Sequence, residues 1–354
     1  MPRPFRLTLA LVALLTGIGC AETGVDRRVV VDDVQTQTDA LLIGVSSAGS
    51  EVVWVAGTGG TFGRSVDSGR TWVFGTVAGA DSLQFRDVHA VDSTTAFLLS
   101  IGPGGQSRIY RTDDGGRNWN LQWTNSEPDG FFDCFDFWSP EAGLAMGDAV
   151  NGRIMMIRTV DGNRWSPIDS TAIPAGTEGE GGFAASGTCL IAAGDSTAFI
   201  GTGSTAGSKV YRSTDRGARW DVVDTPIISG VEASGIMSLA FTDERVGYAA
   251  GGALSMPDEP GENFAATLDS GRTWAFRGRP QLPAVYGLAA SPGREQAILL
   301  AVGPKGMDVS FDSGFEWTSV DKRNYWGVHF VDPSTAIVVG PAGRLARVNV
   351  GPLP

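Results

Sequence analysis

One octet recurs along this chain and constrains its fold more than any other feature: a small hydroxyl residue, any residue, Asp, any residue, Gly, two further residues and Trp. It stands as Ser65–Trp72, Thr112–Trp119, Ser213–Trp220, Thr267–Trp274 and Ser310–Trp317, and one residue short as Thr159–Trp165. The six tryptophans lie 47, 46, 55, 54 and 43 residues apart. A period near fifty with strand-like patterning belongs to an array of β units, as in a propeller.

The octet reads as a hairpin turn. Its Asp accepts backbone N–H groups across the turn, as Asp does in Asx-type turns. Its Gly supplies a backbone conformation closed to other residues, and its Trp is large enough to wedge between neighbouring units. A catalytic group need not be copied once per unit. Asp67, Asp114, Asp161, Asp215, Asp269 and Asp312, with Trp72, Trp119, Trp165, Trp220, Trp274 and Trp317, are therefore assigned to structure.

The surroundings repeat too. An alternating strand such as 85–91 leads through a turn to a small apolar strand ending in glycine, at Gly57, Gly102, Gly147, Gly201, Gly251, Gly303 and Gly340. A third strand runs into the octet and a fourth leaves from its Trp. Four antiparallel strands make one blade. The last unit, 325–350, has three strands and no octet, and the apolar run Val29-Val30-Val31 lies just ahead of the first inner strand. Pairing 27–31 with the last unit closes the ring and removes exposed sheet edges. The expectation is an all-β, seven-bladed β-propeller with N- and C-terminal strand closure, and 49 glycines in 354 residues suit a chain that turns so often.

The first twenty residues read as an address. Arg3 and Arg6 precede the apolar run Leu7 to Leu15, followed by Thr16-Gly17-Ile18-Gly19-Cys20. This is the layout of a secretory signal, too short to span a bilayer as a permanent helix. Gly19-Cys20 resembles a bacterial lipobox, with Gly17 where leucine is usual, which makes Cys20 the lipidation site. The chain divides into 1–20, signal peptide; 21–37, tether and closing strand; and 38–354, propeller. The expected product is an exported monomer in the cell envelope, on the periplasmic or outer-membrane side, touching membrane only through its lipid.

A net charge of −12 excludes nucleic acid as a partner, because phosphate binding needs a basic footprint. Three cysteines exclude a disulfide scaffold and a Cys-rich zinc site. No dinucleotide-binding glycine fingerprint, CxxC or haem motif occurs, and no cofactor or metal is expected.

In a four-stranded meander the first and third turns fall on one face of the ring, here the octet face. The second turns and the links between blades fall on the other. The longest segments belong to units three to five and lie on that opposite face, where binding residues are expected. They carry Asp148, Asn151, Glu178, Glu180, Asp258, Glu259, Glu262 and Asn263, with Asp133 and Asp136 at the start of a nearby inner strand and Ser186 on the next, which is expected to begin near Phe183. This acidic set, bordered only by Arg153 and Lys209, suits a cationic partner or a metal ion. Paired carboxylates also serve glycoside cleavage, and solvated carboxylates on an acidic protein look the same in sequence. His89 and His329 fall at equivalent inner-strand positions, and Cys134 and Cys189 on neighbouring inner strands. A disulfide between the two cysteines requires Cα atoms within about 7 Å, which spacing leaves open. Trp54, Trp123, Trp138 and Trp326 lie outside the octets, and core packing accounts for them.

At the octets the sequence resembles the Asp-box (BNR-repeat) propellers, a group that includes sialidases, xyloglucan-type glycoside hydrolases, sortilin-like receptors and photosystem II stability/assembly factors. The resemblance covers most of 26–350. The stretches 131–138 and 183–188 are similar to a bacterial branch close to the photosystem assembly factor, whose members often carry an oxidoreductase label. The sialidase Phe/Tyr-Arg-Ile-Pro segment and its Tyr–Glu pair are missing. The function expected is that of a non-catalytic envelope propeller that binds a protein or peptide through the long-loop face of units three to five, in an assembly or scaffolding role. A glycan-binding or glycoside-hydrolase propeller is the second reading and a redox-associated protein the third.

Overall fold

In this computed structural model the described residues are 1, 27–256, 258 and 261–352. Cys20, the remainder of the leader and Glu259 lie outside them. The chain forms seven antiparallel sheets of four strands each. The first consists of Leu42–Ala48, Val52–Gly57, Thr61–Ser65 and Val73–Thr76. Further inner strands follow at Gln84–Ala90, Phe132–Ser139, Leu190–Ala193, Ser234–Phe241, Gly287–Ala290 and Gly327–Asp332. The seventh sheet is completed by the start of the chain: Arg27–Asp33 pairs antiparallel with Leu345–Pro352, from Arg27 opposite Pro352 to Asp33 opposite Ala346.

The octets are the turns between third and fourth strands, and their chemistry is uniform. The hydroxyl accepts the glycine N–H at 2.8 to 3.0 Å in all six. Asp67 accepts from the N–H groups of Arg70 and Thr71 and from the Thr71 hydroxyl. In the full-length octets the residue before the glycine is left-handed as well, as at Ser68 (φ 61°), Ser270 (64°) and Ser313 (61°). The short octet omits that residue, and Gly162 N–H still reaches the Thr159 hydroxyl at 2.9 Å.

Seven apolar clusters fill the spaces between adjacent blades, each drawing on two neighbours. The octet tryptophans belong to these interfaces. Trp119 of blade two packs edge-on against Trp54 and Phe62 of blade one, at 6.0 and 5.2 Å between ring centroids, and Trp317 of blade six meets Phe264 of blade five. Such contacts add to plain area burial, so the octet fixes both the turn and the seam. An eighth cluster lies at the axis, where Ala185 and Phe183 meet Met237, Ala284, Tyr286 and Trp326. That cluster corrects one expectation: the fourth inner strand starts at Leu190 rather than near Phe183, because 182–188 passes across the ring instead of joining the sheet.

Candidate functional site

The long-loop face is shaped by the segment between blades three and four. Gly176 N–H donates to Gly152 O, which brings the chain back over blade three. Glu180 then turns inward, 1% exposed. It accepts from Thr177 N–H, the Thr202 hydroxyl, Lys209 Nζ and the Tyr211 hydroxyl at 2.8 to 3.0 Å. Burial alone would push this carboxyl up, but those donors outweigh it and hold Glu180 below the ordinary range. Beyond it, Gly181 and Gly203 exchange N–H···O bonds.

From there the chain crosses the axis. Asp148 accepts the Gly182 N–H and Asp133 the Ala184 N–H. Arg86 of blade two donates from Nη1 to Ala184 O at 3.0 Å, with its guanidinium 5.1 Å from the Trp326 ring centroid. Close approach dictates the glycines: a Cβ at Gly181 would collide with Asp148, and one at Gly187 with Asp87. Burial, with Asp148 as neighbour, drives the Asp133 carboxyl well above the usual range. Burial raises Asp148 to about 6. Burial and the neighbouring carboxyl together favour the protonated form of Asp133.

Above this lies an open groove of about 520 Å³ whose acidic lining residues are Asp129, Asp148, Glu178, Glu180 and Glu232. Asp129, Glu178 and Glu232 are exposed. Lys209 beneath it is neutralised by Glu180 at 3.0 Å. The groove therefore presents net negative charge in a concave, partly desolvated setting, which focuses its field.

The sequence-derived candidates divide. Asp148 and Glu178 line the groove, and Asp133 supports it from below. Glu180, Ser186 and Asn263 are buried at 1%, 3% and 1% and do not present themselves to a partner. Glu180 is engaged by five donors from Thr177, Thr202, Lys209 and Tyr211, Ser186 hydrogen-bonds the Thr188 hydroxyl at 2.6 Å, and Asn263 donates to Leu282 O. Asp136 belongs to the channel wall, accepting from Ala192 N–H and contacting His89 at 3.1 Å. Asn151 occupies a left-handed turn position. Asp258 pairs with Lys305 of blade six at 2.6 Å, and exposed Glu262 also lies outside the groove lining. Asp129, Glu232 and Arg86 escaped sequence reasoning. The first two sit in ordinary blade-to-blade links and Arg86 on an alternating inner strand like the others, so only the ring geometry brings them to the site.

Cys134 and Cys189, the pair left open by spacing, are disulfide-bonded with Cα atoms 5.9 Å apart. His329 bonds the Ser47 hydroxyl at 2.9 Å, and burial lowers it to about 4, so it is neutral near pH 7. It stands in the octet-face mouth of the axial channel, a mainly apolar cavity of about 600 Å³.

A closed ring of seven four-stranded blades, locked by its own N-terminal strand and crossed at the axis by a buried segment, defines the chain as a seven-bladed β-propeller. Among solved structures it is similar to "YCF48 bound to D1 peptide", at TM-score 0.64 and 16% identity, over 90% of this chain and 94% of that one. YCF48 from Cyanidioschyzon merolae matches at 0.60 and 17%, over 90% and 98%. A streptogramin B lyase matches at 0.66 and 11%, over 91% and 98%. At these identities the likeness is one of fold: the chain is a propeller like YCF48. No family model and no curated protein sequence matches it.

Proposed function

We propose that this chain is a non-catalytic, exported and lipid-anchored envelope propeller that binds an extended basic segment of a protein or peptide partner in the groove over blades three to five, in an assembly or scaffolding role. The observation that carries this is the groove itself, which exposes Asp129, Glu178 and Glu232 while its nearest lysine is already paired. Uncompensated like charge in a concavity attracts and orients an opposite charge. A propeller of the same fold is described as bound to a peptide, which supports a peptide as the class of ligand.

The test is binding of the folded chain to an array of extended peptides that vary in net charge, repeated with Asp129→Asn, Glu178→Gln and Glu232→Gln combined. Basic peptides are expected to bind selectively, more weakly as salt rises, and to lose at least about tenfold in affinity with the triple variant, which is about 1.4 kcal/mol. Indifference to peptide charge, or binding unchanged by the triple variant, would overturn the reading.

A further inference from the structure

The octet face carries a second surface whose chemistry is opposite to that of the groove. Apart from Met1, the exposed large hydrophobics among the described residues are Val66, Val73, Leu121, Val160, Leu254, Met256, Leu268, Phe276 and Phe315. All but Leu254 and Met256 lie in an octet or on the fourth strand just beyond one. They are densest over blades five and six, where Leu268, Phe276 and Phe315 are 54%, 44% and 58% exposed. These three line an open groove of about 350 Å³ with Arg277, whose guanidinium stands 4.0 Å from the Phe315 ring centroid. Exposed Arg272 belongs to the same rim. The nearby Asp269 carboxylate is turned into its own hairpin, accepting from Thr273 N–H and the Thr273 hydroxyl.

Chain direction adds an independent observation. In the octet-bearing blades the third strand runs toward the octet face. Leu345–Pro352 is the third strand of blade seven, and Arg27 pairs with its last residue. The described chain therefore begins on the octet face, at the outer edge of blade seven. Val29 there lines a cavity of about 450 Å³ with Phe311 and Glu316 of the blade-six octet. Arg27 is seven residues after Cys20, a reach of roughly 25 Å at full extension. The short tether back to Cys20 thus leaves the ring on the same face, and beside the same blades, as the exposed apolar rim.

Apolar side chains interleaved with arginine are what an interfacial lipid contact requires. The apolar groups enter the headgroup–acyl boundary and the guanidinium groups meet phosphate. We infer that the octet face over blades five to seven rests on a lipid surface, with Leu268, Phe276 and Phe315 entering the interface. The acidic groove then faces away from the bilayer. The inference rests on membrane attachment through the lipid on Cys20 and is independent of what the groove binds.

The experiment is hydrogen exchange of the full chain, free and bound to vesicles of phosphatidylethanolamine and phosphatidylglycerol. Vesicles are expected to slow exchange several-fold in 265–278 and 310–318 and to leave 202–208 and 228–234 unchanged. The combined variant Leu268→Ser, Phe276→Ser and Phe315→Ser is expected to abolish that protection, while remaining attached through the lipid on Cys20 and melting at the same temperature. Failure to bind vesicles, protection on the groove face, or protection unchanged in the variant would each overturn the inference. A groove that fails to bind basic peptides would overturn the proposed function and leave this one standing.

Discussion

Arg86 and Ala184 meet across the axis of the ring: the guanidinium of blade two donates at 3.0 Å to a carbonyl 98 residues later, in the segment entering blade four. This contact ties together two blades that are not neighbours. The interior of the propeller is therefore a crossed span rather than an open tunnel, and the groove above it has a rigid floor.

Replacing Arg86 with Met keeps much of the side-chain volume but leaves Ala184 O without that donor and removes the cation beside Asp133. The expected loss is about 2 kcal/mol, in line with breaking a largely buried charge-assisted bond. Hydrogen exchange should accelerate in 182–188 before it does in the blades. Uniform acceleration across the ring would show that the contact does not hold the segment.

The Asp133–Asp148 pair gives the fold a definite pH dependence. Burial raises both carboxyls above the ordinary Asp value of 3.8, Asp148 to about 6. Between those values the folded state binds more protons than the unfolded chain, so stability falls as pH rises from near 4 through about 6. Asp148→Asn removes one of the two titrations and still offers an oxygen to Gly182 N–H. Melting temperatures across pH 4 to 8 are expected to decline less for this variant than for the parent.

Breaking the Cys134–Cys189 bond releases a constraint spanning 55 residues. Cys134→Ala with Cys189→Ala is expected to cost about 4 kcal/mol on the loop-entropy account, read as a lower denaturation midpoint. Because the two cysteines lie in the core shared by blades three and four, the same variant should loosen that seam first. A midpoint equal to that of the parent would assign the bond no stabilising role.

Deleting 27–33 removes the outer strand of blade seven and bares Leu345–Pro352 as an edge. It also removes Val29 and Val31 from the blade six–seven core. Loss of cooperative melting and concentration-dependent association in light scattering are expected, since an open edge pairs with other chains. Adding the missing segment as a separate peptide should partly reverse that association.

Blade number, octet turns and ring closure were legible in the chain because they depend on local chemistry repeated at a period. A hydroxyl, Asp and Gly at fixed offsets close their own hairpin wherever they occur, as Ser65, Asp67 and Gly69 do. The choice of face for the long loops followed from the same meander. The fate of individual carboxylates did not follow, because it depends on partners distant in sequence. Glu180 and Glu178 look alike in the chain, yet one is buried and hydrogen-bonded by Thr202, Lys209 and Tyr211 while the other stands exposed at the groove.

The sequence by itself determined that this protein is a seven-bladed ring, because turn-forming and seam-filling residues act over a few positions and are copied blade after blade. Only the tertiary structure decided that 182–188 crosses the axis under Arg86, that Asp133 and Asp148 share a site, and that Cys134 reaches Cys189. Each of those depends on where closing the ring places segments with no local preference for one another. The seven interblade cores supply the energy that holds them there.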